Sequence, residues 1–65
     1  MLLERDNRLE QPDSFYAGLI AAHDGLSLEQ SADLNFRLLL ILANQIGRHD
    51  VLQAAIAAAR EGVTA

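Results

Sequence analysis

The chain has 65 residues, no cysteine and a net charge of −4, from nine Asp and Glu against five Arg and no Lys. A domain this small buries only about 60% of the surface that its unfolded chain exposes, and below roughly 70 residues disulfides, a metal or oligomerisation usually add stability. Disulfides are excluded, and without thiolates the only strong candidates for zinc ligands are His23 and His49. Oligomerisation is therefore the expected source of stability.

The charge distribution argues against nucleic acid as a partner, because phosphate backbones are bound through clustered cations. The five arginines are instead spread along the chain, at positions 5, 8, 37, 48 and 60. The longest apolar run, Leu38 to Ala43, is far shorter than the roughly 20 residues of a membrane span. The amino terminus also lacks the long apolar region of a signal peptide. We expect no nucleic-acid or membrane partner, no cofactor and a cytoplasmic location.

The first part of the chain predicts an arm followed by a helix. Residues 1–12 carry many charges without a convincing period, so we expect a flexible N-terminal arm. Asp13 or Ser14 can cap a first helix over about residues 13–24, and Gly25 suits its C-terminal end. The predicted apolar face is Phe15, Leu19 and Ala22, flanked by Tyr16 and Ile20.

Two more helices follow between clear turn signals. Ser27 and Gln30 have the spacing of a capping box, which predicts a second helix over about 28–46, ended by Gly47. Asp50 can cap a third helix over about 51–61, with an apolar side formed by Leu52, Ile56 and Val63. Because the loops are short, the prediction is an all-α, three-helix, up-down-up bundle that forms a single domain over residues 13–65.

The second helix is apolar over an arc of more than about 200°, which is wider than the face of an ordinary surface helix. The two shorter helices cannot cover such an arc, so we expect it to form the interface of a homodimer. The predicted interface residues are Leu34, Leu38, Leu39, Leu40, Ile41, Leu42 and Ile46.

Polar side chains on the second helix are explained mostly by structure. Asp33 and Arg37 have the favourable i,i+4 order of a helix ion pair. Asn35 lies near the middle of the apolar arc, where an amide either fixes register, makes an intramolecular hydrogen bond or anchors a ligand. The first two roles are favoured over the third.

The sequence gives little indication of catalysis or metal binding. His23 and His49 each precede an aspartate, but the predicted topology places them at opposite ends of the second helix, roughly 28 Å apart. His23 in a last helical turn and Asp50 as a cap have sufficient structural explanations. We therefore expect neither a metal site nor an enzyme.

The run FYAGLIAAHDGLSLEQSADLNFRLLLILANQIG, continued by DVLQAAIAAA, resembles a family of short, all-helical bacterial proteins of unassigned function. Its most specific elements are A-H-x-G-L-S, from Ala22 to Ser27, and L-N-x-R-L, from Leu34 to Leu38. Members of this family often accompany FAD-dependent aromatic hydroxylases, which implies an accessory or regulatory role. The resemblance gives a candidate polar site at His23, Asn35, Arg37 and Asn44.

Three functions are compatible with these observations. The first is a small, non-enzymatic protein for protein–protein interaction that self-associates through its apolar central helix. The second is an accessory or regulatory subunit that docks on a flavin-dependent hydroxylase by helix-in-groove contact. The third is a binder of small apolar ligands between the helices, with Asn35 or Tyr16 as the polar anchor.

Overall fold

The computed structural model describes residues 3–64 and contains three α-helices. Helix α1 spans Pro12–Ala22, α2 spans Leu28–Ile46 and α3 spans His49–Thr64. No strand is formed within the described range. The predicted all-α, three-helix fold is confirmed. Positions 1 and 2 of the predicted arm and position 65 of the predicted domain lie outside the described residues.

Helix α2 has the ends that its sequence predicts. The backbone N–H of Gln30 donates to Ser27 Oγ over 3.1 Å, and the N–H of Ser27 donates to Gln30 Oε1 over 3.0 Å. This reciprocal pair is a complete capping box. Gly47 ends the helix with φ 71°, in the left-handed region that glycine occupies without steric cost.

Helix α1 begins one residue before the predicted position of about 13, and the predicted cap by Asp13 or Ser14 was wrong. The first helical hydrogen bond runs from Phe15 N to Gln11 O, so the helix begins at Pro12, and no side chain caps it. Proline suits this first position because its missing N–H would have no helical partner there. After Ala22 the chain continues in tight turns, with bonds from His23 N to Ile20 O and from Asp24 N to Ala21 O.

Helix α3 is longer at both ends than the predicted 51–61. Its first bond runs from Leu52 N to Arg48 O, so Asp50 lies inside the first turn and is not the N-cap. Asp50 still supports this end, since Oδ1 accepts from Val51 N over 2.8 Å and Oδ2 accepts from Arg48 over 2.7 Å. The helix passes through Gly62 because this glycine does not adopt a positive φ.

The helices pack loosely, and none of residues 3–64 is fully buried. Close backbone approach between helices occurs between α2 and α3. On α3, alanines 54 and 58 and Val51 are half-buried, whereas Ile56 and Val63 are exposed. Leu52 of the predicted apolar side is half-buried too, so only Ile56 and Val63 of that side face solvent, and the two alanines share the inner face with Val51 and Leu52. No helix of the described chain is both long enough and apolar enough to cross a membrane.

Candidate interaction surface

An apolar groove separates α1 from α2. Its volume is about 700 Å³, and we call it the α1–α2 groove. The apolar residues that line it are Phe15, Leu19 and Ala22 of α1, Leu26 of the loop, and Leu34, Leu38 and Ile41 of α2. The predicted apolar face of α1 thus lines the groove, and four of these seven apolar residues lie outside the predicted interface. In the sequence, the i,i+4 spacing of Phe15 and Leu19 indicated this apolar face of α1.

The rim of the α1–α2 groove is polar. Ser14, Gln30, Asp33 and Arg37 contribute to its lining. Arg37 Nε donates to Asp33 Oδ2 over 3.0 Å, which confirms the predicted i,i+4 ion pair. Both side chains are well exposed, so the pair adds only a few tenths of a kcal/mol to helix stability. Its contribution to the site is to place opposite charges beside an apolar floor.

A second polar contact joins α1 to α2 outside the groove. His23 Nε2 and Asn35 Oδ1 lie 3.0 Å apart, and Nε2 is the donor because an amide oxygen only accepts. This bond joins residues that are 12 positions apart in the sequence. Asn35 makes the intramolecular hydrogen bond that was one of its predicted roles. Ring and amide together hold the end of α1 against the side of α2.

The candidate polar site divides into two places. His23 and Asn35 form one contact, whereas Arg37 lies on the rim of the groove with Asp33. At 100° per residue, Asn35 and Arg37 point about 160° apart around α2. Asn44 lies seven residues beyond Arg37 on the same side, about 10 Å along the axis. The four residues therefore do not converge on one ligand.

The predicted interface residues also divide between two faces of α2. Leu34, Leu38 and Ile41 line the α1–α2 groove. Leu39, Leu40, Leu42 and Ile46 lie outside the groove and are exposed. Leu28 and Phe36 are likewise exposed. The shorter helices therefore leave much of the apolar arc of α2 uncovered, as the sequence suggested.

Arg48 perturbs the titration of Asp50 at the start of α3. The hydrogen bond from Arg48 holds the pKa of Asp50 below its ordinary value of 3.8, and the bond from Val51 N acts in the same direction. Both stabilise the ionised carboxylate. This perturbation belongs to the start of α3 and not to the groove. Within residues 3–64 no three His, Asp or Glu side chains are grouped so as to hold a metal ion.

Comparison with known proteins identifies a family. Neither a curated protein nor a solved structure matches the chain. Residues 3–61 match the family model of DUF2783, which is described as a protein of unknown function. Because this match covers nearly the whole sequence, the chain belongs to the DUF2783 family.

Proposed function

We propose that the protein is a small, non-enzymatic interaction protein that self-associates as a two-fold dimer through the apolar surface of α2. The observation that carries this proposal is the extent of exposed surface. The accessible area is 5819 Å², whereas a compact monomer of 7.1 kDa is expected to expose about 4,100 Å². The excess is about 1,700 Å², roughly twice what one partner buries in a standard interface.

The dimensions of the chain point in the same direction. The radius of gyration is 13.6 Å, compared with about 11 Å for a compact domain of this length. Residues 3–11 lie outside the helices and account for part of this difference. The large apolar side chains of α2 account for another part, because Leu28, Phe36, Leu39 and Ile46 are each more than half exposed. A symmetric helical contact would remove such side chains from water on both chains at once.

Sedimentation equilibrium tests this proposal. The expected mass is twice the chain mass of 7.1 kDa. Leu42→Glu should lower it towards the monomer, because the exposed Leu42 side chain lies on the proposed surface. Asn44→Glu is the matched control, since it adds the same charge to an exposed position two residues away. A monomer mass for the unmodified protein at every concentration would contradict the proposal.

The α1–α2 groove supports a second candidate, an accessory subunit that receives an apolar helix of another protein. Its apolar floor and charged rim resemble the core and rim of protein interfaces. The resemblance to bacterial proteins that accompany FAD-dependent aromatic hydroxylases makes such an enzyme the partner to test. The volume of the α1–α2 groove is also within the range of small-ligand sites. Binding of a small apolar ligand is therefore a further alternative.

A purified FAD-dependent aromatic hydroxylase provides the test of the second candidate. The expected result is a change in its activity or melting temperature when the protein is added. Gly18→Leu should abolish the change, because Gly18 lines the groove and the space at its Cβ position is empty. Ligand binding would instead raise the melting temperature of the protein itself with aliphatic or aromatic compounds. No change in either assay would remove the groove as a functional site.

A further inference from the structure

Six residues of α2 follow the heptad spacing of a coiled coil. They are Leu28, Ala32, Asn35, Leu39, Leu42 and Ile46, and the intervals between them alternate between four and three residues. At 100° per residue these positions fall within a strip about 80° wide, which runs the whole length of the helix. We call this strip the α2 seam.

The α2 seam is distinct from the α1–α2 groove. None of its six residues lines the groove. Leu39 of the seam and Ile41 of the groove lie about 160° apart around the helix axis. Both are large aliphatic side chains with nearly equal exposure, 60% for Leu39 and 58% for Ile41. The helix therefore presents two apolar faces that adjoin at Leu38, and α1 and α3 leave residues on both of them exposed.

We infer that the α2 seam is the line of contact with the α2 seam of a second copy of this chain. The inference rests on the proposed self-association and specifies which face carries it. Apolar residues at alternating intervals of three and four allow two helices to pack side chains between each other along a length of about 27 Å. The seam offers apolar surface for this contact, since its large side chains Leu28, Leu39 and Ile46 are each more than half exposed.

The charges beside the α2 seam favour a second copy as the partner. An acidic chain with a net charge of −4 is expected to repel its own copy unless the contact surface is nearly neutral. The positions that flank a heptad seam interact across the interface of a coiled coil. In α2 only Glu29 among them is charged, and the others are Ser31, Phe36, Leu38, Ala43 and Gln45. Two copies therefore meet without facing rows of like charge.

Asn35 is the single polar residue of the α2 seam. Its Oδ1 accepts from His23, so the side chain is already oriented, and its amide N–H groups remain able to donate across the contact. In coiled coils an amide within an apolar seam fixes register at some cost in stability. The His23–Asn35 bond thus positions the one group that distinguishes one alignment of the two helices from another.

Paired substitutions on the two faces test the inference. We expect Leu39→Glu to raise the dissociation constant of the dimer at least tenfold, because the new carboxylate would be buried without a partner. Ile41→Glu should change it less than about twofold, because Ile41 lies outside the seam and exposed substitutions away from a contact usually have small effects. Masses from sedimentation equilibrium give the constants, and circular dichroism of the same samples gives the helix content.

A second seam variant allows for the failure of Leu39→Glu to fold. Leu28 is the first residue of α2 and is 92% exposed, and a carboxylate at a helix N-terminus is favourable. Leu28→Glu should therefore keep the fold and still weaken the dimer. An unchanged dissociation constant in the folded seam variants would contradict the seam as the line of contact. Loss of the dimer in Ile41→Glu alone would contradict it too. Neither result would contradict self-association itself. A monomeric unmodified protein would overturn both.

Discussion

Removal of the Ser27 hydroxyl tests whether the capping box sets the start of α2. In Ser27→Ala the bond from Gln30 N to Ser27 Oγ is lost. The bond from the backbone N–H of residue 27 to Gln30 Oε1 keeps both its donor and its acceptor. Loss of a serine cap typically costs about 1 kcal/mol. Because only one of the two reciprocal bonds disappears, we expect a loss of that size for each chain.

This loss is large relative to the stability of so small a fold. At roughly 0.05 to 0.15 kcal/mol per residue, the whole chain is worth about 3 to 10 kcal/mol. If folding and dimerisation are coupled, each dimer contains two boxes and loses about 2 kcal/mol. The constant for dissociation with unfolding then rises roughly thirtyfold.

Ser31→Ala is the matched control. Ser31 lies inside the same helix, four residues beyond Ser27, where alanine has the higher helix propensity by about 0.5 kcal/mol. Each substitution removes one serine hydroxyl group, but the two should change the free energy of unfolding in opposite directions. Urea unfolding followed by circular dichroism at a fixed chain concentration measures both free energies of unfolding. Equal effects of the two substitutions would refute the role assigned to the box.

Three further predictions concern other parts of the chain. Gly47→Ala should lower stability by about 1 kcal/mol because its φ is 71°, whereas Gly18→Ala should raise helix stability by a similar amount, since the space at its Cβ position is open; thermal unfolding compares the two. Arg48→Gln should move the pKa of Asp50 back up towards 3.8 in an NMR titration. Because the pKa of Asp50 is lower in the folded chain, its ionised carboxylate stabilises the fold above pH 3.8. This contribution to the free energy of unfolding is lost as the pH falls through the folded-state pKa. Asn35→Leu should tighten the dimer and reduce its preference for one register, as measured by sedimentation equilibrium and by disulfide cross-linking through a cysteine introduced at an exposed position of α2.

The sequence predicted the features that depend on neighbouring residues. The three helices, the box at Ser27, the turn at Gly47 and the Asp33–Arg37 pair all rest on spacings of two to four residues, and all are present. The cap of α1 was predicted wrongly because Asp13 and Ser14 are favourable capping types, whereas the helix begins at Pro12, which has no N–H that would need an acceptor.

Features that join distant parts of the chain were harder to predict. The hydrogen bond between His23 and Asn35 was not predicted. These residues come together only through the relative placement of α1 and α2, which local sequence patterns do not specify. The apolar side of α3 was also assigned to Leu52, Ile56 and Val63, whereas the half-buried residues of this helix are Val51, Leu52, Ala54 and Ala58. Small residues allow close approach of helices without giving a strong periodic signal. The four residues of the candidate polar site lie in two places for a related reason. Membership of the same sequence motif does not place side chains on the same face of a helix.

We propose that a second copy of the chain covers the exposed apolar surface of α2. Light scattering across a dilution series, with circular dichroism of the same samples, measures the mass and the helix content together. We expect twice the chain mass of 7.1 kDa at high concentration and a loss of helix content as the mass falls. A monomer mass with full helix content at all concentrations would contradict it.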